Sequence, residues 1–172
     1  MTKEFDIYEH DNNCRYALGK NGKNMIICIG LNPSSATDKE PDRTFNKICS
    51  ILKNQDEDYD GFVLLNLCPM RGTKPKEVQY DEELANKNAK IVKKYLDKYP
   101  QAPIWCAWGG NIRQKNFKYY FNKISHLIEN RKCACASETA KGHPRHPLYV
   151  AGDTPLKEFC IKNYIQQNII DF

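Results

Sequence analysis

The chain alternates short apolar runs with longer stretches in which apolar residues recur every three or four positions. Apolar runs occupy residues 25–31, 61–69 and 103–110, and a shorter one occupies residues 133–136. Runs of this length, with little polar alternation, are typical of strands that are buried on both faces of a parallel sheet. The pattern therefore predicts about four central parallel strands.

The stretches between these runs have helical periodicity. We predict helices over residues 44–54, 81–99, 112–129 and 155–168. The second of them begins with acidic residues and ends among lysines, as the helix dipole prefers. Strands that alternate with helices predict one α/β domain over residues 1–172, with three layers, α/β/α, around a mostly parallel sheet.

An N-terminal segment is predicted to add an antiparallel hairpin to this sheet. Residues 14–18 have the pattern of a short strand, and Asn21-Gly22 in the turn that follows is a strong hairpin signal. We therefore expect residues 14–18 to pair antiparallel with residues 25–31.

Small or polar residues lie near or after the end of each predicted central strand. Asn32 follows the first strand, Asn66 lies in the second, residues 108–110 close the third, and His143 and His146 follow the fourth. The carboxyl ends of parallel strands share one edge of a sheet, and α/β proteins bind ligands in the crevice outside that edge. The sequence therefore predicts that these residues meet in one functional site.

Composition and charge narrow the class of protein. The chain of 172 residues is 41% hydrophobic and 27% charged, which is ordinary for a globular protein. Its net charge of +5 suits a nucleic acid or a nucleotide as partner, but also an ordinary lysine-rich surface. No apolar run approaches the roughly 20 residues of a membrane span, and the N-terminus lacks the features of a signal peptide. We expect a cytoplasmic protein with no membrane partner; its oligomeric state stays open.

The eight cysteines do not form a recognisable metal or disulfide pattern. Most are scattered singly, and several lie in apolar runs, where a reduced thiol packs as a small hydrophobe. Cys133 and Cys135, followed by His143 and His146, could suggest zinc. However, Cys-x-Cys is closer than the usual spacing of a ligand pair, and one strand would direct both thiols to the same face. We predict no metal and no cofactor.

Four short motifs, in order, resemble those of the uracil-DNA glycosylase superfamily. Residues 30–34, Gly-Leu-Asn-Pro-Ser, resemble the Gly-x-Asn-Pro-Gly motif of its mismatch-specific branch. Residues 63–66, Val-Leu-Leu-Asn, with Arg71 downstream, are similar to its Leu-Leu-Leu-Asn strand. Residues 104–109 resemble its Leu-Trp-Gly strand, and residues 143–148, His-Pro-Arg-His-Pro-Leu, resemble its His-Pro-Ser-Pro-Leu loop. More closely, the combination looks like the bacterial and phage family numbered sixteen-forty-three among domains of unknown function.

This resemblance implies a uracil-DNA glycosylase-like fold and a set of roles. Asn32 would position the attacking water, and His146 or His143 would donate a hydrogen bond to the departing base. Asn66 would bind the edge of the base through its amide. The predicted catalytic residues are Asn32, His146 and His143. The predicted substrate-binding residues are Asn66, Ser34, Ser35, Arg71, Trp108, Gly109, Arg145, Asp42 and Arg43.

Some of these residues depart from the glycosylase pattern. Arg145 and His146 occupy positions where the glycosylases have small, serine-type residues, so a free nucleotide is an alternative substrate to DNA. Arg145, together with Ser34 and Ser35, would suit a phosphate. Asp42 is expected to cap a helix, although its carboxylate or that of Asp38 could also serve as the catalytic base.

Three functional interpretations follow. The first is a glycosylase-like hydrolase that acts on the N-glycosidic bond of a base, which could be a modified one, in DNA or in a nucleotide. The alternative is a non-catalytic protein that binds nucleic acid or a nucleotide in the same pocket. The third is a redox or metal role for Cys133, Cys135 and the two histidines.

Overall fold

The computed structural model describes residues 5–72 and 74–169, and the chain forms a mixed α/β fold. Seven strands and four helices follow one another along it. The strands are β1 (Ile7–His10), β2 (Arg15–Lys20), β3 (Met25–Gly30), β4 (Gly61–Asn66), β5 (Ile104–Cys106), β6 (Cys133–Cys135) and β7 (Lys157–Glu158). The helices are α1 (Arg43–Lys53), α2 (Glu82–Lys98), α3 (Lys115–Ile128) and α4 (Ile161–Asn168).

All seven strands belong to one sheet, in the order β1-β2-β4-β3-β5-β6-β7. The central strands β4, β3, β5 and β6 are parallel to one another and correspond to the four predicted apolar runs. Strands β1 and β2 extend one side of the sheet in antiparallel pairing, and β7 extends the other. The prediction of about four strands was therefore correct for the parallel centre and too low for the whole sheet.

The predicted pairing of the N-terminal hairpin was wrong. Strand β2 pairs with β1 and β4, and β4 separates it from β3. The connection between β2 and β3 does not close as a tight hairpin, because its backbone N–H groups bind side chains outside it. Asn21 N donates to Asp6 Oδ1 at 2.8 Å, and Asn24 N donates to Asp60 Oδ1 at 2.7 Å. The connection therefore passes the start of β4, which leaves room for that strand between β2 and β3.

The predicted ranges of the first two helices agree well with α1 and α2, and those of the last two agree less well with α3 and α4. Helix α1 is capped by Asp42, whose carboxylate accepts from Phe45 N, and α2 is capped in the same way by Asp81. A single 3-10 turn, Gly110–Arg113, precedes α3. Helix α4 is shorter than predicted, because the residues before it form β7 at the edge of the sheet.

The hydrophobic core lies on both faces of the sheet. Successive side chains of a strand point to opposite faces, so Ile26 and Cys28 of β3 belong to one cluster while Ile27 and Ile29 belong to the other. The cluster with Ile26 also contains the apolar face of α1. The cluster with Ile27 contains those of α2, α3 and α4. Burial on both faces explains why the central strands are nearly all apolar.

Within the described residues, no helix has both the length and the hydropathy that crossing a bilayer requires. Residues 1–4, on which the expectation about a signal peptide partly depends, lie outside the described residues.

Candidate functional site

A cleft of about 670 Å³ lies outside the carboxyl edge of the parallel strands. It is lined by Asn32 after β3, Gly109 after β5 and His146 after β6, together with Gly72 from the segment after β4. The loops of all four parallel strands therefore meet there. The volume lies within the range of about 300–1,000 Å³ that is usual for ligand pockets.

A smaller cavity of about 50 Å³ lies next to this cleft, and we call it the inner pocket. The two cavities share a wall formed by Leu31, Asn32, Ser34, Thr44 and His146. The inner pocket is lined in addition by Arg15, Asp42 and Asn66. Three residues singled out from the sequence, Asn32, Asn66 and His146, therefore line the same small cavity.

The segment after β4 holds the side chain of Asn32 in place. Asn32 Nδ2 donates to the carbonyl of Gly72 at 2.9 Å, and Gly72 N donates to the carbonyl of Pro33 at 3.2 Å. The amide nitrogen of Asn32 is thus engaged, whereas its Oδ1 accepts no hydrogen bond from any described residue. That oxygen can accept a hydrogen bond from a water molecule or a ligand.

Asn66 is buried at the end of β4, and only 3% of its surface is exposed. It pairs in register with Gly30, where a Cβ atom would lie 2.8 Å from Asn66 Oδ1. A side chain at position 30 would therefore displace this amide. Asn88 Nδ2 binds the carbonyl of Asn66 at 2.9 Å, but Nδ2 of Asn66 itself has no hydrogen-bond partner among the described residues. Buried donors without a hydrogen-bond partner are rare and destabilise the folded state, so we expect Nδ2 of Asn66 to bind a ligand or a water molecule.

His146 is held by a close contact with the turn after β5. Gly109 has φ +76 and ψ −176, a conformation nearly restricted to glycine, and a Cβ there would lie 3.1 Å from His146 Cβ. Gly109 N donates to the carbonyl of Pro144 at 2.7 Å. Nδ1 of His146 accepts from Leu148 N at 3.2 Å, so the proton of the neutral ring resides on Nε2. Burial lowers the pKa of His146, against an opposing effect of Asp42.

His143 lines neither cavity and packs in the core. Trp108 Nε1 donates to the Tyr164 hydroxyl at 3.0 Å, and that hydroxyl is hydrogen-bonded to Nδ1 of His143 at 2.8 Å. Burial lowers the pKa of His143, and the nearby Arg113, Lys118 and Lys141 add to the effect. Of the two histidines, only His146 therefore lines the cavities, while His143 anchors the same loop to the core. Trp108 lines the cleft, although its side chain is fully buried.

Asp42 lines the inner pocket, but both of its oxygens are already engaged. Oδ1 accepts from Phe45 N at 2.8 Å, and Oδ2 accepts from Ala36 N at 3.1 Å and from the Ser34 hydroxyl. Although burial opposes it, these hydrogen bonds lower the pKa of Asp42 below its ordinary value. Such a carboxylate acts as a helix cap rather than as a proton acceptor. Ser35 and Arg43 line neither cavity.

Two arginines hold the loop after β3 from the side of β2. Arg15 Nη1 donates to the carbonyl of Ala36 at 2.9 Å, and Arg71 Nη1 donates to the same carbonyl at 3.3 Å. Arg71 Nη2 also donates to the Tyr8 hydroxyl at 2.7 Å. Arg71 lines neither cavity, whereas Arg15 lines the inner pocket. The sequence did carry a signal for Arg15, because a charged residue interrupts the otherwise apolar strand at residues 14–18.

The larger cleft, which we call the outer cleft, is positively charged. Arg113, Lys141 and Arg145 line it, and no Asp or Glu does so among the described residues. Arg145 Nη2 donates to the carbonyl of Glu138 at 3.1 Å, which orients its guanidinium. At the rim of the cleft, Tyr149 is 76% exposed. Arg145 was predicted, while Arg113 and Lys141 were not, because single cations in loops carry no pattern.

The described residues contain no group of three His, Cys, Asp or Glu side chains placed as metal ligands.

The fold and the paired cavities define an α/β protein with a cleft and a smaller cavity at the carboxyl edge of its parallel strands. The chain belongs to the family described as protein of unknown function, DUF1643, whose model matches residues 15–148. The expected membership of family sixteen-forty-three is thereby confirmed, and the likeness to uracil-DNA glycosylases stays a prediction. No curated protein and no solved structure matches the chain.

Proposed function

We propose that this protein hydrolyses the N-glycosidic bond of a natural or modified base in nucleic acid or in a nucleotide. The proposal includes a three-layer, glycosylase-like architecture. One observation supports it most. Asn66, whose buried Nδ2 has no hydrogen-bond partner among the described residues, lines a small cavity whose wall also contains Asn32 and His146. A base-binding amide, an acceptor for water and a hydrogen-bond donor are the three groups that this reaction needs.

Each group has a defined task in the proposed reaction. Asn32 Oδ1 accepts a hydrogen bond from a water molecule, whose oxygen forms a bond to the anomeric carbon of the sugar. The bond between that carbon and the base nitrogen breaks, and its electron pair leaves with the base. His146 Nε2–H donates a hydrogen bond to the anionic base, and the proton lost by the water passes to solvent. An amide cannot remove that proton itself, so we expect slow turnover.

The sizes of the two cavities indicate which part of the ligand each of them binds. The inner pocket of about 50 Å³ takes one edge of the base, while the sugar and phosphate occupy the larger cleft. Arg113, Lys141 and Arg145 then lie on the side of the phosphate. Guanidinium and ammonium groups are the usual partners of phosphate oxygens.

The test is base release from a panel of single-stranded and duplex oligonucleotides and free nucleotides that carry natural and modified bases. Wild-type protein is compared with an Asn32→Ala, His146→Ala double variant, and folding of both is checked by thermal unfolding. We expect release from at least one substrate, and loss of that release in the double variant. Release that is equal in the two proteins would contradict the proposal.

A second function is favoured by the state of Asp42. It is the only carboxylate that lines either cavity among the described residues, and its oxygens are occupied. A pocket without an available general base is suited to binding a base-containing ligand without cleaving it. This function predicts that ligands raise the melting temperature and yield no product.

A further inference from the structure

A second residue that lines the inner pocket, Arg15, has a buried donor without a partner among the described residues. Arg15 is 2% exposed, and its Nε makes no hydrogen bond to any described residue. Its Nη1 is engaged with the carbonyl of Ala36, which anchors one end of the guanidinium. Nδ2 of Asn66 is unpartnered in the same way, and Asn66 lines the same cavity. Two such donors, on residues that line one small pocket, favour a ligand with two acceptors.

Among the described residues, Arg15 forms no direct ion pair that would neutralise its charge. Burial lowers its pKa to about 10, so the guanidinium is still protonated at neutral pH. The nearby Asp42 favours the charged form, but its oxygens bind Ser34 and two backbone N–H groups rather than Arg15. A buried cation of this kind favours a negatively charged or strongly polar acceptor beside it.

We propose that Arg15 is a base-binding residue, whose Nε–H, together with Nδ2 of Asn66, holds two acceptor atoms on the inner edge of the base. The inference rests on the proposed function, because it places the base in the inner pocket. It specifies the ligand further: the recognised edge carries carbonyl oxygens or unprotonated ring nitrogens.

The same contact has a consequence for hydrolysis. Negative charge develops on the base as the glycosidic bond breaks, and a hydrogen bond from a buried guanidinium becomes stronger as that charge grows. Arg15 then stabilises the leaving base more strongly than the neutral amide of Asn66 does, because its donor is charged.

The experiment compares ligands that have the same shape and differ in acceptors. The probes are single-stranded oligonucleotides with one central uracil or its non-polar isostere 2,4-difluorobenzene, and a second pair with hypoxanthine or 4-methylbenzimidazole. The affinity ratio within each pair isolates the acceptor contribution. For wild-type protein we expect a ratio of about 10 to 100 in at least one pair, since hydrogen bonds to charged groups have this strength.

Arg15→Met and Arg71→Met form the matched variants. Both arginines donate to the carbonyl of Ala36, and only Arg15 lines the inner pocket. We expect the ratio to fall about tenfold in Arg15→Met and to stay at the wild-type value in Arg71→Met. If Arg15→Met does not fold, Arg15→Lys keeps the charge without an N–H at the ε position, and the ratio should fall several-fold.

The outcomes separate this inference from the proposed function. An Arg15-dependent ratio without any base release supports the inference and contradicts the hydrolase. Base release together with a ratio that is the same in wild type and in the Arg15 variant overturns the inference and leaves the hydrolase standing. A wild-type ratio near one, or no binding of any probe, overturns the inference as well.

Discussion

The inner pocket and the outer cleft share a wall, yet they differ in almost every physical respect. The inner pocket is small and buried, and two of its lining residues, Asn66 and Arg15, have buried donors without a partner among the described residues. The cleft is large and solvated, and three cations and the exposed Tyr149 line it. A hydrogen bond in a water-excluded site contributes more than a charge in solvent, which salt screens. We therefore expect the inner pocket to determine which base binds and the cleft to attract phosphate.

The largest expected effect comes from Gly109, which packs against His146 in the wall that the two regions share. Gly109→Ala places a Cβ 3.1 Å from His146 Cβ and requires a strained backbone, so the free energy of unfolding should fall by about 1–3 kcal/mol. Urea denaturation measures this change. Gly110→Ala is the matched control, because a Cβ there meets its nearest atom, Thr139 Cγ2, at 3.9 Å. A loss of stability in Gly110→Ala as large as in Gly109→Ala would contradict the role of the close contact.

The next effect compares the same truncation in the two regions. Asn66→Ala should weaken binding of a base-containing oligonucleotide by about 10- to 100-fold, because it removes a buried donor. Asn111→Ala, in the exposed wall of the cleft, should change binding only a few-fold. Fluorescence titration gives both affinities. Equal losses in the two variants would show that burial does not distinguish the two regions.

A smaller effect is expected from the charges of the cleft. Replacement of Arg113, Lys141 and Arg145 by Gln should weaken binding of single-stranded DNA about tenfold at low salt. The slope of log affinity against log salt concentration should become shallower by about 2, since each phosphate contact on a single strand contributes about 0.7. The control replaces Lys90, Lys93 and Lys98 of α2 in the same way; these lysines do not line the cleft. A slope that is unchanged by the first set would exclude phosphate binding there.

The smallest expected effect is a dependence of stability on pH. It comes from His143, which lies in the core behind the cavities, and from His146, which lies in the wall between them. Burial lowers the pKa of both His143 and His146 below the ordinary 6.5. As the pH falls, the two histidines are therefore protonated in the unfolded chain before they are protonated in the folded protein. Their contribution to the free energy of unfolding is complete above pH 6.5 and is lost as the pH falls below that value. Urea denaturation at several pH values should show a shallower decline in His143→Gln. An identical decline in both proteins would contradict this assignment.

Much of the site could be predicted from the sequence because strand ends are local features. The apolar run before Asn32 and the one that contains Asn66 are complete in the sequence, and parallel strands bring their ends together. The glycine at position 109 and the histidine at 146 were also visible, although their contact was not. The role of Asp42 as a helix cap was predicted and is confirmed by its bond to Phe45 N.

Other features depend on contacts between distant parts of the chain. The same loop contributes His146 to the site and His143 to the core, where Tyr164 of α4 binds it. Arg15 reaches the inner pocket because β2 pairs with β4 rather than with β3. Neither the partner of β2 nor the direction of a buried side chain can be deduced from periodicity.

The sequence by itself determined the α/β class, the four central parallel strands and the edge of the sheet at which polar residues gather. Each of these follows from a pattern within about ten neighbouring residues, such as a continuous apolar run that ends in a turn. The tertiary structure alone decided that the site has two unequal cavities and that Arg15 and Asn66 line the inner one with unpartnered donors. Hydrogen-bond satisfaction of a buried group depends on everything that surrounds it, and those neighbours come from strands far apart in the chain.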